Sequence, residues 1–194
     1  MRHLFRVGQF AAERRVLQPP EDLRRVWKIR RDTTQRGYSE AEVLHGLEIR
    51  EPDSEAYIRP QQYYADVVVS FYPGAEQDDD AHLNVRLTLH GTLPHPDLSE
   101  VIAEDQSGCV RATLGREGGR AVEYLEIDGA IPDEPAAALE RCILDHLDAH
   151  GATSLADLGL YSDPQVHHSH PLALTQLLLV YHLFRAKQRE EVEV

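Results

Sequence analysis

An α/β fold built on a mixed sheet follows from three features of the chain. The run Val67-Val68-Val69 is apolar without a break, the pattern of a strand buried on both faces. Leu83, Val85, Leu87 and Leu89 alternate with Asn84, Arg86 and Thr88, which predicts a strand with one wet face. Four stretches, residues 21–36, 39–51, 135–149 and 171–187, carry helix start and stop signals around apolar periodicity.

Taken in order, residues 1–18 form an unassigned N-terminal arm in which 4–10 could be a short strand. Pro19-Pro20-Glu21-Asp22 opens the first helix, because proline tolerates the first turn and the helix dipole favours acids there. Leu23, Val26, Trp27 and Arg30 share one of its faces, and Gly37 ends it. Ser39-Glu40-Ala41-Glu42 has the S-x-x-E form of a capping box and starts a second helix, with Val43, Leu44, Leu47 and Ile49 as its apolar side. Tyr57-Ile58-Arg59-Pro60 reads as a connector into a strand at 65–71. Residues 73–81 read as a loop; Asp78-Asp79-Asp80 lacks the alternate-residue spacing and glycine of a calcium loop and is expected to be solvated. Residues 110–115 and 121–128 flank Arg116-Glu117-Gly118-Gly119-Arg120, the composition of a β-hairpin. Pro135 opens a third helix with Leu139, Cys142, Ile143 and Leu147 inward, and Gly151 follows its end. After a turn at 161–169, Pro171 starts a last helix whose Leu172, Leu177–Val180, Leu183 and Phe184 suit a core or an interface. The segmentation is therefore an arm (1–18), a body (19–187) with helices at 21–51, sheet and hairpin at 65–128 and helices at 135–187, and a charged tail (188–194).

Charge narrows the function. The 194 residues carry a net −13, divided into +4 over residues 1–50 and −17 over residues 51–194. A body this acidic repels nucleic acid and anionic membranes. The basic stripe between Arg24 and Arg36 is therefore expected to grip a small anion, because guanidinium forks bind phosphate oxygens bidentately. Its bland alternative is a solvated helix face held by i,i+4 pairs. No apolar run reaches the length of a membrane span, the N-terminus has no sustained apolar core of a signal peptide, and Cys109 and Cys142 stand far apart. A reducing, cytoplasmic setting follows as an expectation. His167-His168-Ser169-His170 lacks a further ligand at metal spacing and reads instead as a helix start. His90, His95 and Asp97 could form an acid–base pair, but a rigid loop bonding its own backbone is the favoured reading of LPHPD.

Two motifs carry more specific information. Arg31-Asp32-x-x-x-Arg36-Gly37 precedes Ile58-x-Pro60-x-x-x-Tyr64-Ala65-Asp66-Val67-Val68-Val69 by about twenty residues. This ordered pair resembles the lid and following strand of the uridine kinase/phosphoribulokinase family of P-loop kinases. Residues 83–97, 123–129 and 169–187 continue as the phosphoribulokinase branch does, so the resemblance extends over about 16–187. It implies ATP- and Mg2+-dependent phosphorylation of ribulose 5-phosphate to ribulose 1,5-bisphosphate, the step that supplies carbon dioxide fixation. It also implies that Arg31 steadies the transferring phosphate and that Arg36 contacts the sugar phosphate. The chain departs from the family in having no G-x-x-x-x-G-K-[ST]; its nearest approach, GREGG at 115–119, lacks the lysine and the hydroxyl. The expectation is thus the C-terminal part of such a kinase, with no tight ATP binding of its own. Its partner is expected to be a complementing kinase half or a second copy. The alternative is a non-catalytic regulatory or oligomerisation partner of an intact sugar-phosphate kinase.

Overall fold

The structure, a computed structural model, describes residues 14–74, 82–90, 97–104, 107–147, 158–163 and 165–192. Five strands form one mixed sheet: β1 (Arg15–Leu17), β2 (Val67–Tyr72), β3 (Asn84–His90), β4 (Val110–Glu117) and β5 (Arg120–Ile127), in the spatial order β1-β2-β3-β5-β4. β1 lies parallel to β2 and every other pairing is antiparallel. This is the α/β architecture expected. The unbroken valines are buried as predicted, and Val67, Val68 and Val69 pair with Leu89, Thr88 and Leu87 on β3.

The alternation on these strands separates the sheet into two unlike faces. One face presents Val67, Val69, Val85, Leu87, Leu89, Leu125 and Ile127 to two helices, α4 (Asp133–His146) and α5 (His170–Val192). Ala136, Leu139 and Ile143 come from α4, and Leu174, Leu177, Leu178 and Tyr181 from α5. Burial of each such leucine or isoleucine stabilises the fold by about 1.5–3 kcal/mol, so this layer holds the C-terminal part together. A short helix, α3 (Ser99–Glu104), adds Leu98 and Ile102 at its edge. The other face carries Ser70, Tyr72, Arg86, Tyr124 and Glu126. Over it lie the start of a helix, α1 (Glu21–Gln35), and the chain that follows α2 (Glu40–Asp53).

Several local predictions hold at residue level. Ser39 accepts a bond from the Glu42 N–H and Glu42 answers the Ser39 N–H at 2.8 Å, a complete capping box. Gly118 and Gly119 both have positive φ, 54° and 83°, as a two-residue turn between β4 and β5 requires. Other readings are corrected. Arg15–Leu17, inside the unassigned arm, is a strand that pairs in parallel with Val67–Val69 of β2. Residues 54–64 are not a loose connector. They continue α2 as a π turn (Ser54–Ile58) and then 3-10 turns (Arg59–Tyr64). Val26 and Arg30 are exposed, so α1 does not turn its whole apolar face inward. The wet face of β3 is dry at Thr88 and His90, which are both buried. The turn expected at 161–169 contains a hairpin, β6 (Leu160–Asp163) with β7 (Gln165–His168). Residues 4–10, Asp78–Asp80, His95 and Gly151 lie outside the described residues.

α5 supplies a direct test of this layering. Leu177→Ala empties a core position and should cost about 2–5 kcal/mol in urea unfolding. Leu183 is 53% exposed, and Leu183→Ala should change stability by no more than about 0.5 kcal/mol. Equal costs would mean that α5 is rotated from the orientation described.

Candidate anion-binding site

α1 and α2 run as a helix pair with little apolar material between them: Leu23 on one side, Val43 and Leu47 on the other. Ionic contacts supply what packing does not. Near the start of α1, Glu21 accepts from Arg24 at 2.7 and 2.8 Å, and Arg59 reaches Glu51 as well as Glu55 at 3.3 Å. Arg24 and Arg59 also approach Glu51 and Glu21 at 4.0 and 3.9 Å. Arg24 therefore belongs to a neutralised network and not to an open anion grip. This half of the basic stripe matches the bland alternative.

The other half does not. Asp32 is only 5% exposed and one of its oxygens serves two cations: Arg31 donates from Nε at 2.8 Å and Arg36 Nη1 lies at 3.3 Å. The hydrogen bond from Arg31, with the nearby charges of Arg31, Arg36 and Lys28, holds the Asp32 carboxyl below its ordinary range. The same bond raises the already high Arg31 value. Because Arg31 uses Nε, the edge of the guanidinium nearest its own stem, the outer fork is directed away from this bond. Both arginines are about half exposed. Gly37, at φ 74°, turns the chain out of α1, and the Tyr38 N–H donates to Asp32 O at 3.1 Å, closing the helix end.

These groups line a cleft of about 340 Å³ between the two helices. Its cations are Lys28 and Arg31 from α1, Arg36 directly after it, and Arg50 from α2; its carboxylates are Asp32 and Glu42. Four cations face two anions, a surplus of two positive charges in a chain of net charge −13. Partial burial, and then the Arg50 charge, push the Lys28 ammonium below the usual lysine range, with Asp32 opposing them. A larger cleft, about 900 Å³, opens on the polar face of the sheet. There Arg24, Arg59 and Arg86 are balanced by Glu21, Glu117 and Glu126, and Arg86 donates to Glu126 at 2.8 Å between the rings of Tyr72 and Tyr124. Size favours the larger cleft and uncompensated charge the smaller, and for an anion charge decides.

The structure thus brings together Arg31 and Arg36, the two residues singled out from sequence, on a single carboxylate. Arg30, from the same stripe, does not line the cleft. Sequence reading missed Arg50. It lies fourteen residues beyond Arg36 on the next helix, so no spacing rule within α1 could reveal it. His170 starts α5, as its sequence suggests, and meets Asp133 at 3.0 Å and Glu140 at 3.6 Å. Among the described residues no group of three or more His, Cys, Asp or Glu is placed to hold a metal ion.

Comparison with known proteins places this helix pair and the strand after it. The model of the Phosphoribulokinase / Uridine kinase family matches residues 8–77. The chain is 41% identical over 69 residues to the phosphoribulokinase of Synechocystis sp., covering 34% of this chain and 21% of that protein. It is 34% identical over 86 residues to the chloroplastic phosphoribulokinase of Chlamydomonas reinhardtii (43% of this chain, 23% of that one). With the chloroplastic enzyme of Arabidopsis thaliana the identity is 40% over 67 residues, covering 33% of this chain and 17% of that protein. Residues 8–77 therefore carry the similarity to the Phosphoribulokinase / Uridine kinase family, and the matches span about a fifth of those relatives' length. The segment contains β1, both helices of the cleft and β2.

The Asp32 arrangement has a pH signature. A carboxyl held below its ordinary value adds stability that is complete above the usual carboxylate range and is lost as pH falls through the folded value. Unfolding midpoints should therefore drop below about pH 4. Asp32→Asn should remove its share of that drop, since asparagine does not titrate. An acid limb unchanged by Asp32→Asn would mean that the two arginine contacts contribute nothing to folding.

Proposed function

We propose that this chain supplies the phosphate-gripping helix pair of a phosphoribulokinase-like phosphotransferase, acting on ribulose 5-phosphate. The observation that carries the reading is the convergence of Lys28, Arg31, Arg36 and Arg50 on one cleft with surplus positive charge. Permanent, forked cations suit phosphate oxygens, which they bind bidentately. In this reading Arg36 holds the phosphate already on the sugar, and Arg31 lies toward the phosphate in transfer. Asp32 acts through both, as the group that sets their positions.

Among the described residues, the starts of the four long helices do not fit the phosphates of ATP. A triphosphate cradle needs backbone N–H groups at an open helix start, commonly behind glycines. Here α1 starts behind two prolines with Glu21 and Asp22 in its first turn, and α2 is closed by its own capping box. α4 opens on Asp133 and Glu134, and α5 on His170-Pro171. Each of these starts repels a phosphate, is already capped or lacks a donor. No nucleotide step is therefore assigned to these residues, and the isolated chain is proposed to lack turnover.

A second reading is a non-catalytic partner of an intact sugar-phosphate kinase. It is favoured by Leu183 and Phe184, 53% and 40% exposed on α5. The two readings separate on mixing: a separately made P-loop half should recover activity with this chain under the first and gain nothing from it under the second.

Isothermal titration calorimetry should detect binding of ribulose 5-phosphate to the chain. Arg31→Gln and Arg36→Gln should each weaken binding by about 10-fold or more, the worth of a charge-assisted hydrogen bond. Binding indifferent to both substitutions would exclude the cleft as the phosphate site. Incubation of the pure chain with labelled ATP and ribulose 5-phosphate should give no bisphosphate, and turnover would refute the assignment of the nucleotide site to other residues.

A further inference from the structure

The anion cleft is not cationic all round. Its four cations are joined by one aromatic ring, Tyr38, one carboxylate turned to other use, Glu42, and one residue without a side chain, Gly46. Tyr38 is 54% exposed and nothing in the core requires its ring. Its backbone is nevertheless tied down, because its N–H closes the end of α1 on Asp32 O. The ring is thus an exposed apolar surface on a fixed stem at the edge of a phosphate-binding cluster. Glu42 spends Oε2 on the Ser39 N–H and hydroxyl, at 2.8 and 2.7 Å. Its second oxygen, Oε1, is not part of the capping box. Gly46 lies one turn further along α2, and a Cβ placed there meets no atom within 4 Å. The helix therefore leaves room in the cleft at that point.

Resting on the phosphate-site reading above, the geometry points to Tyr38, Glu42 and Gly46 as the half of the cleft that receives the organic part of a phosphate ester. A carboxylate beside an aromatic face suits a hydroxylated carbon chain. The carboxylate accepts from hydroxyls, and the ring covers C–H surface that water would otherwise hydrate. Gly46 provides the volume. The same carboxylate disfavours a second phosphate at this end, because two anions would then face each other. The cleft is thereby selective for a phosphorylated polyol over bare phosphate.

Tyr38→Ala, Glu42→Gln and Gly46→Leu test this with ribulose 5-phosphate and inorganic phosphate as the two probes. Glutamine keeps the capping box and leucine favours helix over glycine, so the fold is retained, as circular dichroism would verify. Tyr38→Ala and Glu42→Gln should each weaken ribulose 5-phosphate by about 3- to 10-fold, the worth of one hydrogen bond or ring contact, and leave inorganic phosphate within about 2-fold. Gly46→Leu should exclude the sugar phosphate and spare phosphate. Unchanged sugar-phosphate affinity in all three variants, or equal losses for both probes, would overturn the assignment while leaving the cation cluster as the phosphate site. Failure of the wild-type chain to bind inorganic phosphate would instead sink both readings.

Discussion

Asp66 is the joint on which the N-terminal part of the fold is hung. Its N–H donates to Arg14 O at 2.7 Å and its carboxylate accepts the Arg14 N–H at 2.8 Å, which seats β1 against β2. Its own carbonyl accepts the His90 N–H at 3.0 Å, which sets the end of β3. One residue thereby registers three neighbouring strands. The consequence reaches beyond the sheet. β1 leads through Gln18-Pro19-Pro20 into α1, and the helical segment after α2 returns into β2. Both ends of the helix pair are anchored to strands that Asp66 aligns, so the cleft between the helices inherits its placement from this joint.

Within the helix pair the controlling term is electrostatic, because so few apolar side chains lie between the helices. A carboxylate as enclosed as Asp32 would be costly alone; two guanidinium groups offset that cost and are in turn held in place by it. The contrast between the two clefts shows why placement matters more than charge count. In the larger one each arginine has a glutamate in the same lining, and in the smaller one the cations outnumber the carboxylates two to one. Only the second has an unmet demand for an anion.

What could be read from the chain and what could not divide along a physical line. The capping box at Ser39, the Gly118-Gly119 turn and the valine run are specified by a few adjacent residues, and the structure reproduces them. β1 was not legible, because three residues are too short for any period to register and only pairing with β2 makes them a strand. Residues 54–64 were misread because Pro52 and Pro60 signal breaks. The chain instead passes from α to π to 3-10 geometry, changing its hydrogen-bonding partners without leaving the helix. Thr88 looked exposed by alternation and is buried, since period alone says which face a residue shares and not what covers that face.

The sequence by itself determined the longer helices and strands, the acidic body with its basic N-terminal quarter, and a motif pair within the segment, residues 8–77, that matches the Phosphoribulokinase / Uridine kinase family. It also singled out Arg31 and Arg36, because Arg31-Asp32-x-x-x-Arg36-Gly37 with the strand motif after it resembles the lid of that kinase family. The tertiary structure alone decided which arginines are neutralised and which remain available, that Arg50 joins the cluster, and that Tyr38 and Glu42 share its cleft. Those outcomes depend on how two helices lie against each other. That geometry is set by strand pairing far along the chain from the residues it brings together.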